Sequence, residues 1–160
     1  MERMRYEKLH YANIGTASSP QWVLINEGIT DFTNSLNPET DTRQYIADKT
    51  AREKTKSYQP SYAYSGLLND DDPFSKWLYG LSADQKLNIK VPIVSVDTWD
   101  ETTSGSGLFT ARMATYNVIP DNDGSGAGGD DLNLSGTISQ DGDLVKGTWD
   151  MEDQEFTPAA

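Results

Sequence analysis

Cysteine is absent from this 160-residue chain, so no disulfide framework holds it and no Cys–His zinc site can be built. Histidine occurs once, at His10, in an N-terminal segment with little local pattern, and any Ser-His-Asp triad would have to use it. No apolar run is long enough to cross a bilayer, and Met1–Lys8 lacks the apolar core of a signal peptide. Gly124–Gly129 is glycine-rich, but no Lys-Ser/Thr pair follows it and no dinucleotide fingerprint occurs elsewhere. These absences leave no catalytic residue, no metal site, no cofactor and no membrane partner to name. An enzyme is not expected.

Positive charge is also scarce. Thirteen Lys and Arg stand against 25 Asp and Glu, a net charge of −12, which argues against a whole-surface affinity for nucleic acid. The imbalance is uneven. Between Arg43 and Lys56 five bases (Arg43, Lys49, Arg52, Lys54, Lys56) meet two acids, whereas from Asp121 to Glu155 ten acids meet Lys146 alone. A basic middle and an acidic end invite head-to-tail contact between copies; the alternative is two solvated faces with no partner. Asp121–Gly124 and Gly128–Leu132 resemble pieces of calcium loops, but one partial copy with no closing Glu reads as a solvated turn.

The chain offers one convincing helix, Pro73–Leu81. Asp72 is placed as N-cap and Pro73 at the first helical position. Phe74, Trp77, Leu78 and Leu81 make an apolar stripe for packing on a sheet, and Gly80 is placed to end the helix. Everything else reads as strand and loop. Tyr6–Ile14 suggests an edge strand or arm, Trp22–Ile25 and Ile29–Leu36 two strands, and Ser57–Gly66 a strand with Tyr58, Tyr62 and Tyr64 on one face. Asn37–Lys56 is a polar arm in which Thr42–Lys54 could form a helical turn or two. Asn88–Trp99 is β-branched, with Pro92 marking an edge or bulge, and Leu108–Ile119 is its return. Leu132–Ser139 and Leu144–Met151 alternate on either side of Gln140-Asp141-Gly142-Asp143, the strongest hairpin signal in the chain. The fold class is therefore mainly β, a β-sandwich or partial barrel with one short packed α-helix and a long hairpin arm. Residues 1–160 make a single domain, with the arm at 37–56, a Gly/Asp-rich loop at 121–131 and a C-terminal tail at 153–160.

That order of strands, charged arm, tyrosine strand, short helix and further strands resembles a major tail tube protein of a long-tailed, siphovirus-like bacteriophage. Asp71–Leu78 is similar to the acidic segment and short helix of such proteins. Leu134-Ser135-Gly136-Thr137-Ile138-Ser139, Gly142-Asp143 and Val145-Lys146-Gly147-Thr148-Trp149 are similar to their terminal hairpin. The resemblance spans roughly Ile14 to Glu152. It implies hexameric rings stacked into a tube of the virion, made in the host cytoplasm, whose acid-lined lumen conducts viral DNA during ejection without binding it specifically. It also implies tape measure, terminator and initiator proteins as partners. In that setting Arg43, Tyr45, Ile46, Lys49, Arg52, Lys54 and Lys56 would form the inter-ring contact, and Thr148, Asp150 and Glu152 would face the lumen. The competing reading is a monomeric β-sandwich module that binds carbohydrate or calcium within a larger assembly.

Overall fold

The computed structural model describes residues 1–159. It is mainly β, as the alternation predicts, and antiparallel throughout. After a 3-10 turn at Arg5–Glu7 come β1 (Lys8–Asn13), β2 (Trp22–Leu24), β3 (Ile29–Ser35), β4 (Pro38–Arg43), β5 (Arg52–Tyr58) and β6 (Ser61–Leu67). The helix α1 (Pro73–Ala83) precedes β7 (Ile89–Glu101), β8 (Leu108–Pro120), β9 (Asn133–Gln140), β10 (Val145–Asp150) and β11 (Glu155–Pro158). One sheet runs β2-β1-β7-β8-β9-β6-β3, with β10 also on β8 and β11 on β10, while β4 and β5 form a separate two-stranded sheet.

The long central strands carry two cores, one on each face. On β7, Val91 and Ile93 enter one cluster and Val94 and Val96 the other, as the two-residue period of a strand requires. The first cluster adds Ala12, Phe32, Tyr62, Tyr64, Tyr116 and Ile138, capped by Phe74, Leu78 and Leu81 of the helix. In the second, Tyr11 stacks on the fully buried Trp149, which meets the edge of Trp22. The sheet thus curls one way over the helix and the other way over Trp149.

Local signals place the helix well. Asp72 is the N-cap, and its Oδ2 accepts from the Ser75 N–H at 3.3 Å and the buried Gly28 N–H at 2.9 Å, tying the helix to the entry of β3. The stripe packs as the spacing predicts, with Phe74, Leu78 and Leu81 buried and Trp77 half-buried. Gly80 does not end the helix, which continues to Ala83. Gln85, at φ 51°, takes the left-handed position instead, and the Gln85 and Lys86 N–H groups close back on the Ser82 and Leu81 carbonyls.

Several other expectations change. Tyr6–Ile14 is no edge or arm, because β1 lies inside the sheet between β2 and β7. His10 is accordingly ordered and buried. Residues 42–54 hold no helical turn: the arm is the β4–β5 hairpin with a connecting loop. Ser57–Gly66 is two strands, since Pro60 separates β5 from β6, and Tyr58 is exposed on the arm while Tyr62 and Tyr64 are core. β7 is interior, but Pro92 falls just beyond the last β1 partner (Ala12 opposite Ile93), where a missing N–H removes no bond on that side.

The largest correction concerns Asp141-Gly142. Gly142 does adopt positive φ, at 107°, yet β9 and β10 do not pair with each other. Both run antiparallel to β8, β9 opposite Tyr116–Pro120 and β10 opposite Leu108–Met113. They are successive pieces along one margin of β8, and the Asp141 N–H bonds the Thr115 carbonyl as the chain passes between them. The terminal hairpin is instead β10–β11, which places Glu155–Pro158 of the expected tail in the sheet.

Candidate functional site

Among the described residues the predicted contact and lumen residues lie on the surface of the body and its arm, and that surface is the candidate site. The β4–β5 hairpin is its most prominent part. Every residue of both strands is exposed except the half-buried Asp41. A two-stranded ribbon of this kind has little stability of its own. Its base is pinned by Asn37, which at φ 48° points Nδ2 at the Gln59 carbonyl (3.0 Å), the Ser61 hydroxyl (3.2 Å) and the Ser35 carbonyl (3.3 Å). The arm therefore leaves the body in a defined direction.

The seven arm residues singled out from the sequence do gather on this hairpin, in three kinds of setting. Arg43, Arg52 and Lys56 are already paired within it, to Asp41 (2.9 Å), Asp48 (2.9 Å) and Glu39 (3.8 Å). Lys49 and Lys54 make no ion pair among the described residues. Tyr45 lies under the Arg52 guanidinium, whereas Ile46 at the tip is fully exposed. The excess of base read between Arg43 and Lys56 is mostly neutralised because β4 lays Glu39 and Asp41 alongside it.

Thr148, Asp150 and Glu152 lie apart from the arm, on β10 and its turn. Thr148 and Asp150 are half-buried, and Asp150 Oδ1 accepts the Glu152 and Asp153 N–H groups at 2.9 and 3.2 Å, shaping the turn into β11. On the same strand face Lys146 lies opposite Arg112 and Thr148 opposite Thr110. This face mixes acid with base.

A different surface is uniform. On the outer side of β3, β6 and β9, Asp31, Ser65 and Ser135 align in one row, Thr33, Ala63 and Thr137 in the next, and Ser35, Ser61 and Ser139 in a third. No Lys or Arg occurs among these side chains. The alternation on β6 and β9 is visible in the sequence, but nothing local says that these strands are neighbours. The margins of β2, β3 and β11 each have a partner strand on one side only, and such margins are prone to pair with other chains. Arg5 reaches across the β3 margin to the Phe32 carbonyl at 3.0 Å.

At the opposite end of the body from the arm, an open cavity of about 550 Å³ separates the end of α1 from the end of β8. Leu81, Leu87, Ile119 and Pro120 supply apolar walls, with Asp121, Asp123 and Lys86 among the lining residues. Leu87 and Ile119 are exposed, and neither Asp121 nor Asp123 forms an ion pair among the described residues. In the loop 121–131 the described acids do not converge on a common metal position.

Behind the surface, His10 Nδ1 is 3.0 Å from the Ser95 hydroxyl, which is 3.1 Å from the Tyr62 hydroxyl. Phe32 and Tyr62 present ring edges to it at 5.0 and 5.4 Å. Burial, reinforced by Arg5 and Lys8, lowers the imidazole pKa to about 3. The ring is neutral, and Nδ1, the Ser95 hydroxyl and the Tyr62 hydroxyl form one hydrogen-bonded chain. His10 is part of the buried interior.

The fold has counterparts among solved structures. A chain from the tail of an empty gene transfer agent (GTA) particle, computed with helical refinement and C6 symmetry, is similar with a TM-score of 0.61 at 12% identity, covering 89% of this chain and 97% of that one. A chain from the virion of a native GTA particle gives 0.59 at 10% identity, covering 98% and 99%. One from the six-fold symmetrised anti-feeding prophage (AFP) baseplate gives 0.52 at 10% identity, covering 91% and 95%. At these identities the likeness establishes the fold. No family model matches the chain, and no curated protein matches it.

Proposed function

We propose that this chain is a structural subunit of a phage-type tail tube, assembling as hexameric rings that stack head to tail around a channel for DNA. The observation that carries the reading is the β4–β5 arm, a pinned, outward hairpin whose strands hold no buried residue and which ends in a bare isoleucine. A ribbon like this gains stability only against another molecule. Support also comes from the one-sided margins of β2, β3 and β11, which ring closure would pair, and from the fold shared with chains of assembled tail particles.

In this reading the bore is lined by the outer face of β3, β6 and β9. Hydroxyls, Ala63 and Asp31 give duplex phosphates nothing cationic to settle on, and sliding then meets no deep minimum. Tape measure, terminator and initiator proteins are the partners such a tube would require.

Negative-stain microscopy of the purified protein at increasing concentration tests the assembly. Rings or hollow filaments are expected, and a monomer that persists at every concentration overturns the reading. The bore is tested with tubes of Thr33→Lys/Thr137→Lys, which should retain duplex DNA in a salt-sensitive way that wild-type tubes do not. Equal retention by both would remove this face from the channel.

A further inference from the structure

We infer that the arm tip of one copy seats in the cavity between α1 and β8 of a second copy, with Ile46 between Leu87 and Ile119 and Lys49 toward Asp121 and Asp123. The inference rests on the tube reading and specifies the contact between successive copies.

The two surfaces match in position. The arm leaves the sheet where Ser35, Ser61 and Ser139 align. The cavity opens at the other end of the same strands, where Leu67 pairs with Asn133 and Pro120 with Gly136. An arm departing from one end cannot fold back to the other end of its own body, but it points toward that end of a copy stacked in line. Such a contact joins unlike surfaces and repeats without closing, so it builds a filament.

They also match in chemistry. Ile46 is a fully exposed aliphatic knob, and Leu87 and Ile119 are 83% and 45% exposed along an apolar cavity. On the arm, Arg43, Arg52 and Lys56 are internally paired, which leaves Lys49 and Lys54 available. At the cavity two carboxylates, Asp121 and Asp123, outnumber the single cation Lys86. Unpaired cations at one end thus face an excess of carboxylate at the other.

The absence of cysteine makes the contact testable by cross-linking. Ile46→Cys/Leu87→Cys and Ile46→Cys/Ile119→Cys chains, assembled and mildly oxidised, should give a ladder of disulfide-linked multimers on a non-reducing gel. Ile46→Cys/Thr33→Cys should give none. Because Ile46 and Leu87 are exposed, Ile46→Asp and Leu87→Asp should leave the monomer folded. Each should raise the critical concentration for filaments about tenfold or more, the effect of losing one large buried aliphatic side chain. Hollow filaments with no ladder from either cysteine pair overturn the docking while the tube reading stands. A ladder without hollow filaments keeps the docking and overturns the tube. No assembly under any condition overturns both.

Discussion

Acidification should weaken the monomer through His10, and the structure sets the size of the effect. The ring is 5% exposed, its Nδ1 is hydrogen-bonded with the Ser95 hydroxyl, and its pKa falls from the ordinary 6.5 to about 3, chiefly by burial and then by the positive charges of Arg5 and Lys8. Because the folded value is the lower one, the unfolded chain takes up the proton first. The neutral ring's contribution is therefore intact above pH 6.5 and is lost as the pH falls toward 3. Each pH unit in that window is a tenfold change in the equilibrium, so moving from pH 7.5 to 4.5 costs roughly 3 kcal/mol from this group. Other groups titrate over the same range, and a His10→Gln variant separates them. Glutamine keeps a polar partner for Ser95 but cannot take up the proton. Urea unfolding of both chains at dilute, monomeric concentrations should show the wild type losing about 2–3 kcal/mol more than the variant across that pH interval. Parallel pH profiles would mean that His10 is solvated or rearranges, and the argument from burial would be wrong.

Removing residues 36–60 and joining Ser35 to Ser61 through Asn-Gly should shift the melting temperature by no more than about 2 °C while abolishing filaments, since the arm adds nothing to either core. Asp72→Ala should cost about 1–3 kcal/mol in thermal or urea unfolding, because one carboxylate oxygen serves both the Ser75 N–H and the buried Gly28 N–H; Asp72→Asn should recover much of it. Gly66→Ala should cost about 2 kcal/mol or more by the same assay, because its new methyl would strike the Gly28 carbonyl, which the Leu67 N–H also holds.

The parts of this molecule legible in sequence are those decided within a few residues. Asp72-Pro73 and the Phe74, Leu78, Leu81 spacing fix a helix start and its buried face, since capping and the helical period act over one or two turns. The alternation around Tyr62, Tyr64, Leu134 and Ile138 likewise marks strands and their inner sides. The arm was visible as a charged interruption, though not as a ribbon, because β4 and β5 carry almost no apolar residues to betray a period.

Tertiary structure alone decided the pairing. Asp141-Gly142 permits positive φ in any context, but whether the next strand turns back or runs on depends on which backbone lies alongside, and here β8 offers its whole margin to both β9 and β10. The hydroxyl-rich face exists only because β3, β6 and β9, far apart in the chain, become neighbours. The cavity between α1 and β8, and its place at the far end from the arm, follow from the same pairing. Local sequence sets what each segment can do because its interactions close over short stretches; the meeting of distant segments is set by the combined burial of both cores, a quantity no single stretch contains.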